Sequence, residues 1–277
     1  TSSLHMDQRA IFTQQDAQEF LIHFTETLEN ILKKDKEQKD KISYIFGGKT
    51  IQTVQNDRHQ IISSHEENIF ELIIGLSDSV KSSLSNLIRK ETIDDYNDDK
   101  TKTVQTVTMQ TKLLKLPRIL RLLIKRYRLD KTLNSFYKDN SRMSFEDELD
   151  LSPYVYNKDQ CGCTKYKLYS VIVHQGQIGV GHYYSYIKPE MNDDWYLFND
   201  SFVNHSNMKD AIENNFGNDV NNNNVFDIQS YSAYILFYVR VDSIDEMFMK
   251  SRSKPKPKPN QQQQQEVIEE EEEDKEE

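Results

Sequence analysis

The stretch from Tyr166 to Asp200 leaves this chain few ways to fold. Tyr166–Val173, His182–Lys188 and Trp195–Phe198 are dense in β-branched and aromatic residues, the composition of strands. Gln175–Gly181, with Gly176, Gly179 and Gly181, separates the first two. Such a loop is flexible or tightly turned, and it delivers His182 to the first residue of the next strand. The turn Pro189–Asp194 separates the second and third. Strands joined this closely pair antiparallel.

The pairing has a chemical consequence. A regular hairpin centred between Glu190 and Met191 places His182 directly opposite Asn199. Opposed side chains stand roughly 4.5 to 5.5 Å apart at Cβ. That is close enough for the Asn199 amide oxygen to accept the Nδ1 proton of His182. A histidine oriented in this way is the base half of a nucleophilic triad.

Upstream, Ala17, Phe20, Leu21, Phe24, Leu28, Ile31 and Leu32 recur at steps of three and four, which predicts an amphipathic helix from about Gln14 to Lys34. Thr13 and Asp16 resemble a capping box at its start. Ile42–Phe46, Lys49–Val54 and Phe70–Leu76 read as strands, Ser82–Lys90 as a short helix, and Asp94–Lys102 as a charged loop. Val104–Met109 alternates, and Leu116–Tyr127 reads as a central strand opened by a proline. Lys209–Asn215 is expected to be a short helix, and Tyr231–Arg240 the last strand. The folded body is expected to span 1–248. The Lys/Pro, Gln and Glu-rich tail from 249 to 277 is expected to be disordered.

Charge and composition exclude several classes. The net charge is -10, with nine acids against one lysine in the last twelve residues. The body is mildly acidic and offers no basic surface to a nucleic acid. The longest clean apolar run, Ala233–Val239, has seven residues, whereas a membrane helix needs about 20. The two cysteines, Cys161 and Cys163, are one residue apart and cannot staple distant segments. This argues for a reducing compartment, cytosol or nucleus.

Residue by residue, Tyr166-Lys-Leu-Tyr-Ser-Val, His174, Gly181-His-Tyr and Trp195-Tyr-Leu-Phe-Asn-Asp200 resemble the histidine box of the ubiquitin-specific proteases. Other segments fall in that family's order. Gln14–Leu21 is similar to its glutamine-aspartate box, Ile45–Gly48 to its Phe-x-Gly element, Leu116–Tyr127 to its Leu-Pro-x-x-Leu strand, and Ala233–Arg240 to its final strand. Asp210–Gly217 resembles the herpesvirus-associated branch. The resemblance covers about 13 to 242. It implies an α+β, papain-like fold with a mainly antiparallel sheet, of which this chain is the palm and fingers portion, with the helical thumb largely missing.

The implied activity is thiol-dependent hydrolysis after the C-terminal glycine of ubiquitin, with ubiquitin and ubiquitinated proteins as partners and no cofactor. His182 matches the catalytic histidine, Asn199 the third triad member, and Asp200 the aspartate beside it. Asp16 and Glu19 match residues that help grip ubiquitin's basic tail, to which carboxylates suit arginines. His174 and Tyr183 match positions lining the channel. The family's nucleophile lies upstream in a Gly-Asn-x-Cys-Tyr segment that this chain lacks, and Cys161 and Cys163 stand out of order for it. The two Cys-x-x-Cys zinc pairs of many members are missing too, so no structural metal is expected. A ubiquitin-binding pseudoenzyme or scaffold is the alternative.

Overall fold

Tyr166, Leu168, Val171 and Val173 are apolar along a single thirteen-residue strand, and all four are buried. The computed structural model describes residues 16–98, 101–132, 134–218 and 230–249. Thr13, Gln14 and nearly all of the tail from 249 lie outside them. The chain divides into two units, Thr1–Ile244 and Asp245–Glu277. In the second, Asp245–Met249 forms one turn of π-helix.

In the first unit the helices are α1 (Ala17–Leu32), α2 (Lys41–Phe46), α3 (Val80–Leu87), α4 (Lys158–Cys161) and α5 (Met208–Ala211). The strands are β1 (Gly48–Gln55), β2 (Ile61–Ile69), β3 (Leu72–Gly75), β4 (Glu91–Asp98), β5 (Thr103–Lys115), β6 (Ile119–Lys125), β7 (Tyr127–Asp130) and β8 (Ser135–Lys138). They continue with β9 (Glu148–Asp150), β10 (Lys165–Gln177), β11 (Val180–Ile187), β12 (Trp195–Asn199), β13 (Phe202–Ser206) and β14 (Tyr231–Arg240).

An eight-stranded sheet runs β13-β12-β11-β10-β14-β6-β3, with β9 also on β10, and only the β3–β6 pairing is parallel. Its two faces are built by alternation. Leu120, Leu122 and Ile124 of β6 join Val171, Val173, Leu236 and Trp195 in the main core, under α3 and Phe145. Leu123 points the other way, into a smaller cluster with Tyr234 and Ile235 that Ala17 and Leu21 of α1 cover. In the β10–β14 ladder Ile172 pairs with Ile235 and Val173 with Ala233, so Tyr234 is a bulge residue. The bulge lets two neighbours, Tyr234 and Ile235, serve the same face.

A four-stranded antiparallel sheet, β2-β1-β5-β4, carries the second layer of strands. It corrects the expected charged loop at Asp94–Lys102, because Glu91–Asp98 is an edge strand. Acidic residues on an edge are compatible with a ladder and discourage pairing with a further chain. Ile42–Phe46, expected as a strand, is helix α2. Its apolar positions 42, 45 and 46 have helical spacing, but six residues are too few for the period to declare itself.

The glycine segment is also corrected. It is not a loop, since β10 and β11 stay paired through Gln175↔His182, Gly176↔Gly181 and Gln177↔Val180. The hairpin closes at Ile178-Gly179, with Gly179 at φ 74. Gly176 sits at φ 100, and a Cβ there would stand 2.6 Å from the Val180 carbonyl oxygen. Gly176→Ala is therefore expected to cost about 1 to 3 kcal/mol in urea unfolding. Gly75→Ala, whose Cβ would enter open space, is expected to stay within about 0.5 kcal/mol of wild type.

Candidate active site

His182, near the start of β11, turns its ring toward the end of β12. Its Nε2 lies 2.6 Å from Asn199 Oδ1 and 3.8 Å from Asp200 Oδ2. Two details differ from the sequence reading. The nitrogen facing Asn199 is Nε2, not Nδ1. The β11–β12 ladder pairs Ser185↔Phe198, Tyr186↔Leu197 and Ile187↔Tyr196, two residues away from the predicted register. His182 therefore reaches Asn199 along the cross-strand diagonal, which long side chains span.

The connection between the two strands starts at a buried lysine. Lys188 is buried, its Nζ 2.6 Å from Asp147 Oδ1 and 5.0 Å from the Trp195 ring centroid. Residues 188–194 form the connection between β11 and β12. Asn199 ends β12 with its amide turned to His182. Asp200 begins a two-residue turn to β13 at φ 52, and its side chain is 77% exposed.

His174, opposite Tyr183 on β10, is buried and stacks on the Tyr183 ring at 4.5 Å between centroids. Burial, then the nearby Lys138 and His182, pushes its pKa down to about 4. It is a neutral ring near pH 7. A Cβ at position 181 would stand 2.5 Å from His174 Nε2. Glycine before His182 thus serves the packing of His174.

Asp16 caps α1, its Oδ1 accepting from the Gln18 backbone N–H at 2.7 Å. It also receives Tyr234 Oη at 3.0 and 3.1 Å and Tyr183 Oη at 3.3 Å, while Tyr127 Oη lies 3.5 Å from Tyr183 Oη. Burial, with contributions from Tyr127 and Asp16, raises the Tyr183 phenol, and burial with Asp16 raises that of Tyr234. Both remain proton donors to the carboxylate. Glu19, one turn further along α1, is 61% exposed and 3.9 Å from His23 Nε2.

The predicted residues thus fall into two groups on opposite faces of β11. His182, Asn199 and Asp200 form one, and Asp16, His174 and Tyr183 the other, with Glu19 outside both. Tyr127 and Tyr234 were not singled out from sequence. Their signal was a phenol inside or beside an apolar strand, which needs a polar partner when buried.

Neither cysteine is near His182. Cys163 lies two residues before β10, and His182 faces Gln175, ten residues along it. At roughly 3.3 Å per residue the strand from Lys165 to Gln175 alone spans about 33 Å, and Cys163 lies beyond its far end. Burial raises the Cys161 thiol pKa, and its Sγ faces the Leu114 carbonyl at 3.5 Å. Among the described residues no group of three or more His, Cys, Asp or Glu could hold a metal ion.

The chain is similar to known proteins. "Ubiquitin carboxyl-terminal hydrolase 15" of Saccharomyces cerevisiae is 28% identical over 274 residues, 89% of this chain and 22% of the relative. The protein of the same description from Schizosaccharomyces pombe is 30% identical over 247 residues, 85% of this chain and 22% of the relative. The chain thus spans about a fifth of the length of these relatives. A solved SAGA DUB module bound to monoubiquitin superimposes with a TM-score of 0.68, covering 83% of this chain and 49% of that one. At 21% identity that likeness shows the fold, the sheet-rich α+β architecture of a ubiquitin-specific protease domain. The family model for ubiquitin carboxyl-terminal hydrolase matches residues 1–238, and the chain belongs to that family.

Proposed function

We propose that the whole protein hydrolyses the peptide or isopeptide bond after the C-terminal glycine of ubiquitin, with His182 as general base and acid. The observation that carries this is the 2.6 Å contact between His182 and Asn199 in a chain of this family. Asn199 Oδ1 can only accept, so the facing ring nitrogen carries the proton and the other nitrogen keeps a free lone pair. That lone pair takes the proton of a cysteine thiol. The thiolate attacks the glycine carbonyl, and the imidazolium gives its proton to the departing lysine or α-amine. Water then cleaves the thioester with the same histidine acting as base.

Asn199 contributes orientation rather than charge. Asp200, exposed and 3.8 Å away, adds negative potential for the imidazolium. The thiol comes from neither Cys161 nor Cys163, each at the far end of β10. Glu19, exposed beside His23, is the carboxylate for the basic tail of ubiquitin. Asp16 acts there through Tyr183 and Tyr234, whose hydroxyls it fixes, and His174 supplies a neutral wall behind Tyr183.

Two measurements check this reading. The 277-residue chain is expected to leave a fluorogenic ubiquitin C-terminal amide uncut, whereas the whole protein cleaves it and loses about 10² to 10⁴-fold in kcat with His182→Ala. Turnover by the chain that disappears in Cys161→Ser or Cys163→Ser contradicts the separation along β10 estimated from strand rise. A whole protein that binds ubiquitin tightly without turnover is a pseudoenzyme.

The second measurement uses pH. His174 holds a pKa of about 4 when folded, against roughly 6.5 unfolded. The unfolded chain gains its proton first as pH falls. Stability linked to His174 is therefore complete above pH 6.5, declines between about 6.5 and 4, and is level below. His174→Gln is expected to flatten that part of the urea midpoint profile, and an unchanged profile refutes the neutral wall.

A further inference from the structure

Lys138 closes β8 and is 1% exposed, yet among the described residues it makes no ion pair. Its Nζ donates to the backbone carbonyls of His174, at 2.6 Å, and Gly176, at 3.4 Å. Beside it Arg126, 0% exposed, donates to the carbonyls of Ala233, Asp139, Ser141 and Phe216 at 2.8, 3.1, 2.9 and 3.4 Å. Two basic side chains thus sit together in the interior, held chiefly by peptide carbonyls, with the Asp139 charge acting on Arg126. Such an arrangement is expensive, and apolar residues of similar volume commonly stabilise a fold as well or better. Burial, then Arg126, lowers the Lys138 pKa to about 7.

The two carbonyls that Lys138 holds belong to the residues on either side of Gln175, the ladder partner of His182. Besides its ladders to β11 and, at Gln175↔Tyr231, to β14, this end of the hairpin has little apolar packing. Gly176, Gly179 and Gly181 bring no side chains, Ile178 is exposed, and Val180 is 71% exposed. Apolar packing cannot set the height of His182 here. Gly176 N–H does reach Ser230 O at 3.0 Å, and Asn140 Nδ2 holds Ser230 Oγ at 2.7 Å. That second tie comes from the strap that Arg126 grips at Asp139 and Ser141.

We propose that Lys138 is a positioning residue for His182, fixing the β10–β11 hairpin through the His174 and Gly176 carbonyls so that the imidazole meets Asn199. The proposal rests on the hydrolase reading of the same site. The hydrogen bonds of Lys138 Nζ go to backbone carbonyls, so its effect passes through the backbone.

The test compares wild type, Lys138→Met, Lys138→Gln and Lys138→Arg in the whole protein. Turnover of the ubiquitin amide and hydrogen exchange at residues 176–182 are read together. Lys138→Met is expected to lower kcat at least 10-fold with KM unchanged and to speed exchange across 176–182, leaving the four-stranded sheet protected as before. Lys138→Gln, too short to reach both carbonyls, is expected to behave alike, and Lys138→Arg to recover part of kcat. Folded Met and Gln variants with wild-type kcat and exchange overturn the proposal. So does a failure of both to fold, which makes Lys138 a core residue only. If wild type itself shows no turnover, the hydrolase reading has failed, and the exchange arm still decides whether Lys138 tethers the hairpin.

Discussion

Strand β10 bears on everything else in the sheet. It is hydrogen-bonded to β14 along one edge and to β11 and β9 along the other, while its side chains alternate between two packed clusters. A strand so placed cannot slip by one residue without turning Val171 and Val173 out of the main core. That fixed register carries outward through β11, where His182 faces Gln175, to β12, where Asn199 ends the strand. The chemistry of the site is written in positions that the hydrophobic core has already decided.

Beyond the end of that core, polar groups take over. Where Val173 gives way to His174 and the glycines, Lys138 and Arg126 hold backbone carbonyls, and Asp16 gathers tyrosine hydroxyls. Buried polar groups are tolerable only when each finds a partner. His174 Nδ1 is one of the few buried atoms without one, and its ring is kept neutral by burial. The two rings thus differ in setting: His174 is buried, whereas the His182 side chain is 41% exposed.

Much of this was legible. The strands Tyr231–Arg240 and Trp195–Asn199 and the helix under Leu21 follow from period and composition, because packing there uses one residue in two or in three to four. The turn between Pro189 and Asp194 gave the pairing of His182 with Asn199 across the hairpin, although in a register two residues from the one the strands adopt. Other features were hidden for physical reasons. β2 is exposed along nearly its whole length and β4 is acidic, so neither carries an apolar stripe. β13 places Phe202 and Val203 at the surface. The register between β11 and β12 differs from that of a symmetric turn, and the buried Lys188 beside the connection reaches Asp147, a contact distant in sequence that no local rule contains. Tyr127 and Tyr234 were concealed within apolar segments. The identity of the ring nitrogen follows from side-chain torsion, which spacing does not encode.

The account depends on Asn199, rather than Asp200, holding His182. The most direct measurement is kcat of the whole protein on a ubiquitin C-terminal amide for Asn199→Ala and Asp200→Ala, with circular dichroism confirming that both fold. Asn199 sits at 2.6 Å and Asp200 at 3.8 Å from the same nitrogen. Asn199→Ala is expected to lose on the order of 100-fold in kcat, because the imidazole loses its fixed orientation, and Asp200→Ala less than about 10-fold. An Asn199→Ala variant with wild-type kcat beside a folded, inactive Asp200→Ala variant would contradict it.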